Sequence, residues 1–307
     1  MRGLLQHVQR RPECLAILFM LAIDIVWVRR VGLGFVNIGP PFLAVSGLLT
    51  IAVVYGRTGR SKRLSDMGYY GAVFIAYGPL LIVMSYLAAY RGNPLCDAAL
   101  LRFDALLGFD WRHWAAFLRT HPAFDTLLAL AYGSMVPQLG VTILVLSHMN
   151  REDRNKELFW TVLVSSLITA AVFDLFPAVG PFAYYNLDLD RAIHLKDLLE
   201  LRSGMVHPYP VPQLQGLIAF PSYHTVLAVL IPYVHRGSRY TFMPCIVLNA
   251  LMLLSTPSHG GHYFADIVGG VLTAVGAIAL VRIAMSGAYR EPCLGLVTTS
   301  AAGGRGP

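Results

Sequence analysis

Apolar residues in this chain run in long blocks, not in the short alternations of an amphipathic sheet or helix. A bilayer-spanning helix needs about 20 mostly apolar residues. By that measure about eight stretches qualify: 13–29, 35–56, 68–90, 122–147, 158–177, 217–234, 241–256 and 263–284. The first is short and contains Asp24, and the seventh is short and contains Pro244. Compact basic segments separate some of the blocks: the N-terminus, 57–66 (RTGRSKRLSD), 148–157 (HMNREDRNKE) and 235–240 (HRGSRY). Two longer mixed segments, 91–121 and 178–216, separate others. Lys and Arg concentrate on the cytoplasmic side of membrane proteins. The pattern therefore predicts compact loops and both termini in the cytoplasm, with the long segments on the extracytoplasmic face. Residues 91–121 carry Trp111 and Trp114 among apolar neighbours and are expected along the membrane interface. Residues 178–216, with their Pro, Gly and charges, are suited to cover a site.

The fold predicted is an all-α integral membrane bundle, multi-pass in the cell membrane if the chain is bacterial. Residues 1–66 supply about two extra N-terminal helices, 67–285 form a six-helix catalytic core, and 286–307 are a Gly-rich, disordered cytoplasmic tail. No internal repeat at a fixed period is visible, so an inverted-repeat transporter has no direct support.

Composition sharpens this picture. Of 307 residues 56% are hydrophobic and 13% charged, against about 25% charged in soluble domains. Lipid solvates neither charges nor unpaired backbone groups, which accounts for the deficit. The net charge of +7 does not point to nucleic acid, because the basic residues sit in short clusters between apolar blocks. Cys14, Cys96, Cys245 and Cys293 are scattered and form neither a disulfide framework nor a zinc ribbon. Basic residues precede the first block, but no small-x-small cleavage site follows, so a retained first helix is expected.

Two motifs carry the candidate chemistry. AFPSYHTV (219–226) places Pro221, Ser222, Tyr223 and His224 at a helix start. Backbone amides and a serine hydroxyl there can meet an anion. STPSHGGHYFADIVGG (255–270) follows about one helical hairpin later, with His262 and Asp266 four apart. A carboxylate at that spacing can accept from one imidazole nitrogen and aim the other outward. Since the intervening helices run down and back, His224, Ser255, His262 and Asp266 are expected on one extracytoplasmic face. Two other classes compete. His259, His262 and Asp266, with His224 as a fourth ligand, could bind a divalent metal, and the same polar groups could pass a lipid headgroup in a transporter. Plainer readings exist too: Tyr223 and Tyr263 as interface anchors, Pro257-Ser258-His259 as a turn, and Asp24 as helix-packing glue.

Pro221-Ser222-x-His224 resembles the second signature of the type 2 phosphatidic acid phosphatase superfamily. Ser255, His262 and Asp266, at spacings of seven and four, resemble its third signature. Together with FDLFPAVGPF (Phe173 to Phe182), the PS-x-H form looks like the inositol phosphorylceramide synthase, or aureobasidin-resistance-like, branch. The resemblance implies that His262 attacks phosphorus to form a phosphohistidine, that Asp266 supports it and that His224 protonates the departing oxygen. It implies phosphate contacts from Ser222 and Ser255; Tyr223 and His259, which the family pattern does not supply, are further candidates for phosphate binding. It implies no cofactor and no metal. The substrate would be a phospholipid or sphingolipid, with inositol or another polar alcohol as acceptor in a transferase and water in a phosphatase. The sequence departs from the family pattern at three places. The first signature, K-x6-R-P, is absent, Thr256 replaces an Arg and Tyr223 replaces a Gly. Some other cation is expected to meet the phosphate, with His259, Arg191, Lys196, Arg202 and His207 as candidates.

Overall fold

The computed structural model describes residues 11–186 and 193–288. Arg191, Cys293 and the tail beyond residue 288 lie outside this range. In chain order the helices are α1 (Pro12–Val31), α2 (Gly39–Thr58), α3 (Lys62–Tyr90), α4 (Asp97–Leu106), α5 (Trp111–Thr120), α6 (Pro122–Gly133), α7 (Met135–His148), α8 (Glu152–Leu175), the short α9 (Pro181–Tyr184), α10 (Ile193–Arg202), α11 (Tyr223–His235), α12 (Phe242–Gly260) and α13 (Phe264–Ala288). Two three-residue strands, β1 (Gly34–Val36) and β2 (Pro208–Pro210), pair in parallel. This is the all-α membrane architecture that the apolar blocks predict.

Among the described residues five helices are long and apolar enough to cross a membrane: α2, α3, α8, α12 and α13. The pair α6–α7, bent by 52° around Ser134, is a sixth if it counts as one span. The other two expected blocks behave differently. α1 carries Glu13, Asp24, Arg29 and Arg30. The block 217–234 is helical only from Tyr223, and its 13 residues reach about 20 Å, short of a hydrocarbon core of about 30 Å. Pro221 has no backbone N–H to extend the helix backward, and Ser222 caps it instead, accepting from the Thr225 N–H at 3.4 Å. Pro257-Ser258-His259 is not a turn. It continues α12 to Gly260, where Gly261 terminates the helix at φ +63°.

α3 is the hub. Tyr70 and Tyr77 on it join Phe159 and Leu158 of α8 and Val226, Leu230 and Ile231 of α11 in one core. α2 is the opposite case. Only Ala52 is buried, and Phe42 and Leu43 are about 70% exposed, a surface suited to lipid and not to water.

Charged side chains gather at one end of the bundle. Glu152 of α8 pairs with Arg11 at 3.5 Å, Lys62 at 2.8 Å and Lys156 at 3.0 Å. Glu157 pairs with Arg154 at 2.8 Å and Arg236 at 2.6 Å. The compact basic segments therefore meet on one surface. α11 runs from His224 to that cluster at Arg236, which separates the two histidine motifs from it by the length of the helix.

The long segments pack onto the opposite end. Trp111 is not an exposed interfacial residue. It is buried and donates its Nε1–H to the Pro257 carbonyl at 2.8 Å. An indole donor facing a helix terminus has more to gain from an orphan carbonyl than from the interface.

Candidate active site

The site is built where three helix ends meet: the start of α11, the end of α12 and the start of α13. The Ser222 N–H donates to the Asp266 carbonyl at 3.0 Å, tying α11 to α13. α4 braces the same junction with two buried carboxylates. Asp104 accepts from the N–H groups of Phe264 and Ala265 at 2.9 and 2.8 Å, meeting two of the orphan donors at the start of α13. Burial pushes the Asp104 carboxyl up from its ordinary value, and those two donors act against the shift. Asp97 accepts from the N–H groups of Val179 and Gly180 and from the Tyr263 hydroxyl at 2.9 Å. The fit is tight. Gly180 has φ +83°, and a Cβ there would lie 2.4 Å from the Gly261 carbonyl oxygen. Tyr263, fully buried on Asp97, is thus no interface anchor.

Within this frame His262 and Asp266 meet as their spacing predicts. Nδ1 of His262 lies 3.1 Å from Asp266 Oδ2, which also accepts from the Tyr263 N–H at 2.9 Å. An acceptor at Nδ1 leaves Nε2 free to present its lone pair. His224 lies opposite, with ring centroids 6.4 Å apart. Tyr132, at the end of α6, stacks on His224 at 4.1 Å and 17°, its hydroxyl 3.3 Å from Nδ1.

Both imidazoles open onto one cavity of about 410 Å³. Its polar end holds His194, Tyr132, His224 and His262. Its other walls are mostly apolar, with Phe74, Gly78 and Leu81 of α3, Met135, Val136 and Leu139 of α7, and Leu227 of α11, and Ser85 and Gln215 among them. The segment 178–216 contributes His194, Gln215 and Gly216 to the wall, as its position opposite the basic loops suggests. Burial, with a smaller push from nearby His262, holds His194 down to about 4, so it is uncharged at neutral pH.

The other expected site residues fall differently. Ser222 Oγ caps α11, and Ser255 Oγ donates to the Met252 carbonyl at 2.7 Å. Both are fully buried and neither lines the cavity, so neither is placed for the phosphate contact expected of it. Ser255 gives its hydroxyl proton to its own helix, and Ser222 gives its helix an oxygen lone pair. Tyr223 lines the cavity, but its hydroxyl is committed to the Val162 carbonyl at 3.2 Å. His259 sits in the last turn of α12, 3.3 Å from Asp125. Lys196 is exposed, Arg202 donates to the Asn93 carbonyl at 2.8 Å, and His207 pairs with Glu200 at 2.9 Å. Among the described residues no Lys or Arg lines the cavity.

The metal reading of this site also fails to assemble. Among the described residues, the three metal-ligating groups that converge within 4.8 Å are Asp197, Glu200 and His207, not His224, His259, His262 and Asp266.

A family model described as the PAP2 superfamily matches residues 98–280, more than half of the chain. The chain belongs to the PAP2 superfamily. This is the type 2 phosphatidic acid phosphatase superfamily, whose members are phosphatases or phosphotransferases, and membership supports an activity of that type. No curated protein and no solved structure matches it. The matched stretch includes Tyr132, His194, His224, His262 and Asp266, whereas α3, which supplies an apolar wall of the cavity, lies before it.

Tyr132 and His194 escape a reading of the sequence. Tyr132 is a lone tyrosine in an apolar block, and its contact with His224 joins residues 92 apart in the chain. His194 sits in a charged stretch that also holds His207, with nothing in the spacing to separate the two.

Proposed function

We propose that this protein is a transferase of the inositol phosphorylceramide synthase-like kind that passes the lipid-bearing phosphoryl group of a phosphodiester through a phosphohistidine to a polar alcohol, exchanging the headgroup alcohol, at the extracytoplasmic surface. One observation carries this reading: two imidazoles share a cavity whose described wall has an apolar body and no Lys or Arg. A phosphomonoester dianion in such a wall leaves charge unpaired, which is costly. A diester carries a single negative charge, which one imidazolium balances.

The chemistry follows in two halves. Nε2 of His262 attacks phosphorus as the bond to the departing oxygen breaks, and His224 gives that oxygen its proton. Burial, with His262 and His194 nearby, holds the His224 ring toward its neutral form, and the phosphate anion in the cavity acts against that shift, favouring the protonated form that this step requires. Asp266 holds the Nδ1–H of His262 as positive charge develops on the ring. An alcohol then attacks phosphorus, the P–N bond breaks, and His224 takes the alcohol's proton. With a lipid phosphomonoester as donor and water in place of the alcohol, the same two halves release inorganic phosphate, which is phosphatase activity, the second reading. The extracytoplasmic assignment is supported by the basic loops, which gather at the other end of α11.

The test is purified protein incubated with diester phospholipids and with phosphatidic acid, each with and without inositol. A new headgroup lipid formed from a diester is the expected result. Inorganic phosphate released from phosphatidic acid, with no transfer product, overturns transfer in favour of hydrolysis.

Placement of a lipid chain in the apolar body makes a separate prediction. A Cβ at Gly78 meets nothing within 4 Å, so a larger side chain there projects into open space. Gly78→Phe is expected to raise KM at least about tenfold for long-chain substrates while sparing a dihexanoyl analogue. Equal effects on both would show that the chain lies elsewhere.

A further inference from the structure

A second cluster of ligating side chains stands outside the cavity, on α10 and the strand that follows it. Asp197 and Glu200 lie one turn apart on α10, and His207 stands just before β2. One ligand atom from each falls within 4.8 Å of the others. Nε2 of His207 is 2.9 Å from Glu200, and the Tyr86 hydroxyl donates to Asp197.

An independent observation lies beside them. Tyr209 of β2 is 1% exposed, its ring tilted against His207 at 4.1 Å between centroids and edge-on to Tyr86 at 5.0 Å. Its hydroxyl is buried without a hydrogen-bond partner, close enough to Asp197 and Glu200 for both charges to act on it. A buried hydroxyl without a partner costs about 1–3 kcal/mol. A water bound to an ion held by these side chains would give it one.

We propose that Asp197, Glu200 and His207 form a binding site for a divalent transition-metal ion of the zinc class. Two carboxylates and one imidazole are a donor set for zinc or manganese, with water completing the coordination. His207 is about half exposed, which leaves the ion a route in from solvent. The ion bridges α10 to β2, and β2 is paired with β1, in the connection between α1 and α2. α10 also carries His194 in the cavity wall. The metal is thus a staple that holds one wall of the cavity in place and has no part in the phosphoryl transfer itself.

The experiment uses full-length protein, purified in detergent and stripped with a chelator. Zn²⁺ is titrated by calorimetry, and Co²⁺ by its visible spectrum. The expected result is one equivalent bound at micromolar or tighter affinity, with a rise in unfolding temperature. Affinity should fall at least about tenfold in both Asp197→Asn and His207→Ala, while His262→Ala still binds. His207 is exposed and Asp197→Asn is isosteric, so the two variants check one another against misfolding. No binding at 100 µM metal, or binding unchanged in both variants, overturns the site. Binding lost only in His262→Ala also overturns it, by moving the ion to the cavity.

Discussion

Replacing His262 with alanine is expected to lower turnover by on the order of 10⁴-fold or more, because no other group in the cavity can accept the phosphoryl group as it does. Asp266 accepts from one nitrogen at 3.1 Å, and the second nitrogen belongs to a ring that lines the cavity. His224 is 6.4 Å away between ring centroids and has the Tyr132 hydroxyl, not a carboxylate, beside its Nδ1. Labelled substrate quenched during turnover should leave acid-labile phosphate on His262 in the wild type and none in the variant. Phosphate trapped on a different residue, or a purified variant with unchanged rate, would remove His262 from the mechanism. Folding is checked by the unfolding temperature, since truncating a ring at a cavity wall leaves the bond from the Tyr263 N–H to the Asp266 carboxylate in place.

Replacing His224 with glutamine is expected to cost about 10²–10⁴-fold in kcat, the range for loss of a general acid. Size and stacking on Tyr132 are partly kept, so the loss reports the proton and not the packing. The discriminating measurement varies the leaving group. A 4-nitrophenyl phosphodiester needs little help from an acid, so the deficit should shrink at least about tenfold with it. A deficit equal for lipid and nitrophenyl substrates would make His224 a group that orients or binds phosphate.

Much of the site was legible because its residues lie close in sequence. The spacing of His262 and Asp266 requires only a short stretch of chain to bring them together, and it does. Ser222 and His224 are fixed to one helix start by Pro221, whatever surrounds them. The apolar blocks were legible for a similar reason, since bilayer thickness sets helix length without reference to partners. Where expectation and structure part, a competing partner is the cause. Ser222 and Ser255 were expected on phosphate and are held by their own helices. Trp111 was expected at the interface and is held by a carbonyl of α12. The cations expected at the phosphate, Lys196, Arg202 and His207, are exposed or spoken for by other groups.

The sequence by itself determined that the chain is a helical membrane protein and that it carries a His–Asp pair and a second histidine. Hydrophobic length and short-range spacing are local quantities, readable without coordinates. Only the tertiary structure decided what surrounds them: Tyr132 on His224, His194 in the wall, Asp97 and Asp104 bracing the junction, and an apolar cavity reaching to α3. Those contacts join residues far apart in the chain, and their geometry depends on the bend between α6 and α7 and on how the long connections fold back. No local pattern encodes either.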